Sequence, residues 1–298
     1  MVAEKIDGLS FTLKEFQDFS WLSQYGKVFF VLDVTSSGCI CFGVEKDDKK
    51  YFFKIAGANT IEARLTPEES VKLLMSAADK YKRIKDFNLI KYIDSFFKDN
   101  LFVVIFEYAE GECLLDYWNY DKYVAINTLE SPAKKFKKLS IEKKLNVIEK
   151  LFVFFENVID SNYVAAGFYF TNIIYNFNND DVKFCDIDLF KDLPATNNLG
   201  RTYYGTMLQK SPEENMLGAV IDEKTNVFTL GALIFDILSY EINYNERYEK
   251  EMFVPVVFEK FLLSRKTYEI LIHATDYDRN NRYETIKSFH KEFNESLI

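Results

Sequence analysis

The sequence predicts an α+β chain whose N-terminal third is rich in strands and whose remainder is mostly helical. Between Lys27 and Ala56, aliphatic and aromatic runs are separated by two polar turns, Thr35-Ser36-Ser37-Gly38 and Lys46-Asp47-Asp48-Lys49, as in an antiparallel meander. Thr66-Pro67-Glu68-Glu69 is a capping box with proline at the first helical position, and Val71, Leu74, Met75, Ala78 and Ile84 follow at helical steps. After Ser140, which reads as an N-cap, Leu145, Ile148, Phe152, Phe155 and Ile159 share one apolar face.

A chain of 298 residues with 48% hydrophobic content buries a large core and has room for one two-lobed unit or two ordinary domains. Its net charge of -9 repels phosphate backbones and anionic lipid, so neither nucleic acid nor a membrane is expected as a partner. Lys134, Lys135, Lys137 and Lys138 read as a solvated run ahead of a helix. The four cysteines, Cys39, Cys41, Cys113 and Cys185, have neither zinc-site nor disulfide-framework spacing and predict reduced thiols in a cytoplasmic protein. With only His273 and His290, raw material for a Ser-His-Asp triad or a histidine-rich metal site is lacking. The N-terminus carries Glu4, Lys5 and Asp7 in place of an apolar export segment, and runs such as Leu101 to Phe106 are far too short to span a bilayer.

In order, strands are expected at Val28 to Val34, Cys39 to Val44 and Lys50 to Ala56, then the helix from Pro67, then strands at Leu89 to Phe97 and Leu101 to Tyr108. A short helical stretch at Leu114 to Tyr123 precedes a segment, Val124 to Leu139, that reads as a loop because it holds Pro132 and the lysines. The helix after Ser140 ends at Asp160-Ser161-Asn162. An apolar strand ending at Tyr175, the turn at 178 to 181 and a second strand from Val182 then form a hairpin whose ends present Asn172 and Asp186 together, two oxygen donors suited to one hard cation.

These elements and their intervals resemble the protein kinases, in the manner of a bacterial relative of the Ser/Thr enzymes. Asn172 follows Gly167 by the interval that separates the catalytic-loop Asp from its Asn, and Asp186 falls on the Asp of Asp-Phe-Gly. Gly205-Thr206 precedes Ser211-Pro212-Glu213, which resembles Ala-Pro-Glu; Thr225 to Leu233 is similar to the Ser-Asp-Val-Trp-Ser-Leu-Gly helix; and Asp278 to Arg282 resembles Asp-Pro-x-x-Arg.

The resemblance implies a two-lobed fold: residues 1–110 as a small antiparallel sheet with one main helix, and residues 111–298 as a larger, mostly helical lobe. It implies ATP and Mg²⁺ as cofactors, with Lys54 on the phosphates, Gly38, Ile40 and Phe52 around the nucleotide, Glu107 and Ala109 in the hinge, Ile174 under the adenine, and Asn172 and Asp186 as metal ligands. It also implies a buried pair between Glu213 and Arg282, with Arg279 exposed. The departures lie where chemistry happens. Gly167 replaces the proton-accepting Asp, Ala166 the neighbouring Arg, Tyr169 the catalytic-loop Lys, Asp188 the Gly of Asp-Phe-Gly, and Asn226 the Asp that ties the loop down. Asp33 and Thr35 replace two phosphate-loop glycines, and Ser76 to Ala78 hold the place of the helix Glu, leaving Asp79 or Glu69 as substitutes. The expectation is a pseudokinase, a regulatory or binding module with an unidentified protein partner. The alternatives are a slow, divergent Ser/Thr kinase using another carboxylate and a small-molecule kinase. With Ala166 in place of the Arg, phosphorylation at Thr202, Tyr203, Tyr204 or Thr206 lacks its usual clamp.

Overall fold

The computed structural model describes residues 1–126, 129–206, 208–242 and 244–298. The chain divides into two compact units, Met1–Arg83 with Leu89–Glu110, and Ile84–Asn88 with Gly111–Ile298. The first is rich in β-sheet and the second mostly helical, the α+β arrangement expected from the sequence.

The first unit opens with a hairpin of β1 (Val2–Ile6) and β2 (Leu9–Leu13), followed by β3 (Lys27–Leu32), β4 (Ile40–Lys46) and β5 (Lys49–Ala56). Helix α1 (Pro67–Arg83) and strands β6 (Tyr92–Lys98) and β7 (Leu101–Glu107) complete it. The sheet order is β3-β4-β5-β7-β6, antiparallel throughout. Asp47 and Asp48, both at positive φ (51° and 60°), make the β4–β5 turn, a conformation that matches the twist of the flanking strands. Thr66 and Glu69 exchange backbone and side-chain hydrogen bonds at the start of α1, as the capping box requires.

Alternation along the strands gives this sheet two different faces. Ile40, Phe42, Val44, Phe53 and Ile55 pack with Phe11, Leu13, Phe19 and Leu22 under the N-terminal hairpin. The other face receives α1, where the Tyr81 ring meets Phe106 at 4.6 Å. Asp7 and Asp33 fasten the hairpin by accepting from the Val28 amide at 2.7 Å and the Thr12 amide at 2.8 Å.

The second unit begins with β8 (Glu112–Cys113), α2 (Tyr120–Ala125), α3 (Pro132–Lys137), α4 (Ile141–Asp160) and β9 (Tyr163–Val164). Next come β10 (Ile173–Tyr175), β11 (Val182–Phe184), β12 (Lys191–Asp192), β13 (Ala195–Thr196) and β14 (Val220–Ile221). It closes with α5 (Glu223–Ile237), α6 (Tyr244–Lys250), α7 (Arg265–Ala274) and α8 (Ile286–Glu295).

Helix α5 is buried on every side from Thr225 to Ile237, which explains why its sequence lacks a polar face. Gly231 lets α7 approach: a β-carbon there would lie 2.9 Å from Thr275 and 3.1 Å from Ala274. The apolar face of α4 is wider than the five expected residues, taking in Val147, Leu151, Phe154 and Val158. Against it, His290 of α8 stacks on Phe152 at 4.3 Å with its two ring nitrogens 2.9 Å from Glu156 and Glu149.

Two expectations are corrected here. The segment read as a loop contains α3, begun by Ser131 and Pro132; part of it, Asn127 and Thr128, lies outside the described residues. Nor are its lysines uniformly solvated. Lys137 donates to the carbonyls of Asp236 and Ser239 at the end of α5 and to the Ser239 hydroxyl, and Lys135 pairs with Glu112 at 2.7 Å. An ammonium at a helix C-terminus meets carbonyls that the helix itself leaves unpaired.

Candidate functional site

In the second unit, strand β9 leads into the loop 165–172, and Asn226 of α5 holds that loop in place. Its Oδ1 accepts from the Ala165 amide at 2.8 Å and its Nδ2 donates to the Ala165 carbonyl at 3.1 Å. The tie expected to be lost at this position is therefore made by an amide that supplies donor and acceptor together. Ala166 sits in an apolar cluster with Val164, Tyr203 and Ile221.

Gly167 is buried at φ +71°. A β-carbon there would lie 2.9 Å from Leu189 Cδ1 and 3.1 Å from Tyr204 Cβ, and Gly205 comes back to back with it, its own β-carbon site 3.3 Å from the Gly167 α-carbon. The segment after Asp186 thus lies directly against Gly167. Pairing of β12 with β9 and of β13 with β14 brings it there.

The β10–β11 hairpin pairs Ile173 with Phe184 and Tyr175 with Val182, which brings Asn172 and Asp186 together at its open end. They meet through the main chain. Asn172, 2% exposed, donates from Nδ2 to the carbonyls of Cys185 at 3.1 Å and Asp186 at 2.9 Å, while its Oδ1 accepts from the Tyr169 amide at 2.9 Å. The same amide oxygen also receives the Thr171 hydroxyl at 3.3 Å, so it serves the loop in this arrangement. Asp186 is exposed and stands at φ +56°, a left-handed conformation that Asp tolerates better than most residues. Among the described residues no group of three or more His, Cys, Asp or Glu side chains is arranged to hold a metal ion. Ile174 lies half-buried opposite Cys113 and Lys183.

In the first unit, Lys54 is 8% exposed and lies opposite Cys41 and Val104. Phe52, opposite Gly43 and Phe106, shares its face. Ile40, expected with Phe52 around the nucleotide, does not: it pairs with Ile55 on the other face, fully buried under the hairpin. Cys39 lies against α1, its sulfur 3.8 Å from the Ser70 hydroxyl. Gly38, at φ +78°, has room for no more than a tight β-carbon, 3.3 Å from that hydroxyl. Asp33 is bound to the Thr12 amide.

The amides of Glu107 and Tyr108 donate to the Lys91 and Lys50 carbonyls, the Glu107 carboxylate pairs with Lys91 at 3.0 Å, and Ala109 follows half-buried. Glu69 is committed to the capping box and Asp79 lies 3.8 Å from Lys82, while Ser76, at the expected position of the helix Glu, accepts from Lys80 at 3.0 Å.

Glu213 and Arg282 form a buried two-pronged pair at 2.7 and 3.0 Å. Arg279 departs from expectation: it binds both oxygens of Asp222, the N-cap of α5, at 2.7 and 2.6 Å. The reading also missed a second buried pair, Arg247 with Asp236 at 2.7 and 3.0 Å, joined by Gln209 at 2.8 Å. It missed Glu214 as well, one residue past Glu213. Burial pushes that carboxyl up to about 7. The Ser-x-x-Glu spacing of Ser211 and Glu214 was a visible capping signal.

No protein-family model matches the chain. Over 174 residues, 58% of its length, it is 23% identical to the serine/threonine-protein kinase nekl-2 of Caenorhabditis elegans, and the match spans 46% of that protein, so the chain covers less than half the length of this relative. Among the described residues no helix is long and apolar enough to cross a membrane. The distant likeness and the α+β architecture in two units together support a relationship at the level of the protein-kinase superfamily.

Proposed function

We propose that this chain is a protein-kinase-like binding or regulatory module, a pseudokinase that holds ATP weakly and transfers phosphate poorly. The observation that carries this reading is Gly167, a residue without a side chain where the family places its proton acceptor, covered by Leu189, Tyr204 and Gly205. A missing general base typically lowers turnover by ~10²- to 10⁴-fold, and Leu189, Tyr204 and Gly205 lie against Gly167.

Following the resemblance residue by residue, Lys54 neutralises phosphate charge and Asp186 supplies the carboxylate that meets nucleotide-bound Mg²⁺. Asn172 keeps the loop in shape. The test is nucleotide binding by calorimetry together with a phosphotransfer assay, each with and without Mg²⁺. Weak, metal-dependent ATP binding that Asp186→Asn abolishes and Lys54→Ala weakens is the expected result, with little or no transfer. Robust metal-dependent transfer by the unaltered chain would overturn the proposal.

A further inference from the structure

A small pocket beside Gly167 is lined in part by Phe168, Gly205, Gln209, Lys210, Glu214 and Thr229. Two buried side chains of opposite charge face it. The Glu214 carboxylate accepts from the Ser211 amide at 2.8 Å and the Ser211 hydroxyl at 3.0 Å, both on Oε2. Lys210 directs its ammonium elsewhere, to the carbonyls of Tyr203 and, at 3.4 Å, Arg201. Those carbonyls belong to the segment that covers Gly167.

We propose that Glu214 and Lys210 form a proton-operated latch: with Glu214 protonated, Lys210 holds the segment 199–206 down on Gly167, and with Glu214 ionised, Lys210 turns to Oε1 and lets the segment go. An ionised carboxylate at this depth needs a counter-charge, and Lys210 shares its pocket. The other charged groups around Glu214 are engaged. Glu213, on the same turn, repels it but is paired with Arg282; from the covering segment Tyr203 presents a buried phenol whose hydroxyl has no partner among the described residues; α5 contributes the hydroxyls of Thr225 and Thr229, and its Asp236 is bound to Arg247 and Gln209. The orphaned Tyr203 hydroxyl makes the closed state easier to leave. Burial, followed by repulsion from Glu213, places the Glu214 titration close to neutral pH despite the opposing Ser211 bonds and Lys210 charge.

Amide hydrogen exchange, corrected for its intrinsic dependence on pH, tests the latch through the Tyr203 amide, which donates to the Gly200 carbonyl at 3.0 Å. If Glu214 titrates near 7 when closed and near its ordinary 4.5 when open, protection should fall about tenfold between about pH 6 and about pH 8.5. Glu214→Gln should hold the acid-level protection throughout, and Lys210→Met should lower protection at both pH values and abolish the dependence. A flat profile for the unaltered chain, or a Glu214→Gln profile that follows it, would overturn the proposal. If the glutamine variant does not fold, the unaltered chain and Lys210→Met decide. The readout needs neither nucleotide nor turnover, so failure here and failure of the pseudokinase reading are separate events.

Discussion

Removing the buried Arg282 should cost the second unit more than removing the partly exposed Arg279. The guanidinium holds both oxygens of Glu213 and also donates to the carbonyls of Asp276 at 2.7 Å, Lys224 at 3.2 Å and Tyr277 at 3.3 Å, with the Phe228 ring 4.8 Å away. In Arg282→Ala, Glu213 keeps, among the described residues, only the Thr225 hydroxyl as a side-chain donor, at 2.9 Å, and remains buried. Leaving one member of a buried pair unmatched costs ~3 to 5 kcal/mol. For a unit of this size each kcal/mol moves the midpoint by about 2 to 4 °C, so a drop of roughly 6 to 20 °C is expected by calorimetry.

The loss should also depend on pH. Burial alone would raise the Glu213 carboxyl, but the hydrogen bonds and charge of Arg282 outweigh it and hold the group below its ordinary 4.5. In the intact chain this carboxylate therefore contributes stability that is present above 4.5 and lost as pH falls through the lowered value. Without Arg282 the burial effect dominates, and the variant instead loses stability as pH rises through a raised value. The gap between the two proteins should be widest at neutral pH and narrow in acid. Arg279→Ala, which removes a half-exposed pair at the N-cap of α5, should cost about 1 kcal/mol or less. Equal losses for the two variants, or a gap that widens in acid, would refute the reasoning.

Three further outcomes are expected. Asn226→Asp, which installs the family's usual residue, should destabilise by ~1 to 3 kcal/mol in urea unfolding, because a carboxylate cannot donate to the Ala165 carbonyl that Asn226 reaches at 3.1 Å. Gly167→Ala should cost about 1 kcal/mol or more, since its φ of +71° suits glycine and Leu189 must yield; Leu189→Ala in the same chain should recover part of the loss. Burial brings the Lys137 ammonium down to about 8, so the folded state binds fewer protons than the unfolded one between about 8 and 10.5. Relative to Lys137→Met, the unaltered chain should gain stability as pH rises through that window, and parallel melting profiles would show that Lys137 titrates as in water.

The sequence by itself determined the elements whose signals are local. The capping box at Thr66, the β4–β5 turn and the β10–β11 hairpin all depend on residues within a few positions of one another, and each formed where the pattern put it. The likeness of Thr225 to Leu233 to a kinase helix motif marked a helix there, and the order of motifs carried the pairing of Glu213 with Arg282 across the unit. What only the tertiary structure decided are facts about faces and distant partners. Side chains alternate along a strand, so one step of register sends Ile40 away from Lys54. Asn226 looked like a lost anchor until both its amide atoms met the Ala165 backbone, and Lys137 looked solvated until the end of α5 supplied carbonyls. Nothing local in the sequence singles out Glu214 and Lys210, because burial, which sets the cost of a charge, is a property of everything packed around a residue and is written in no short stretch of chain.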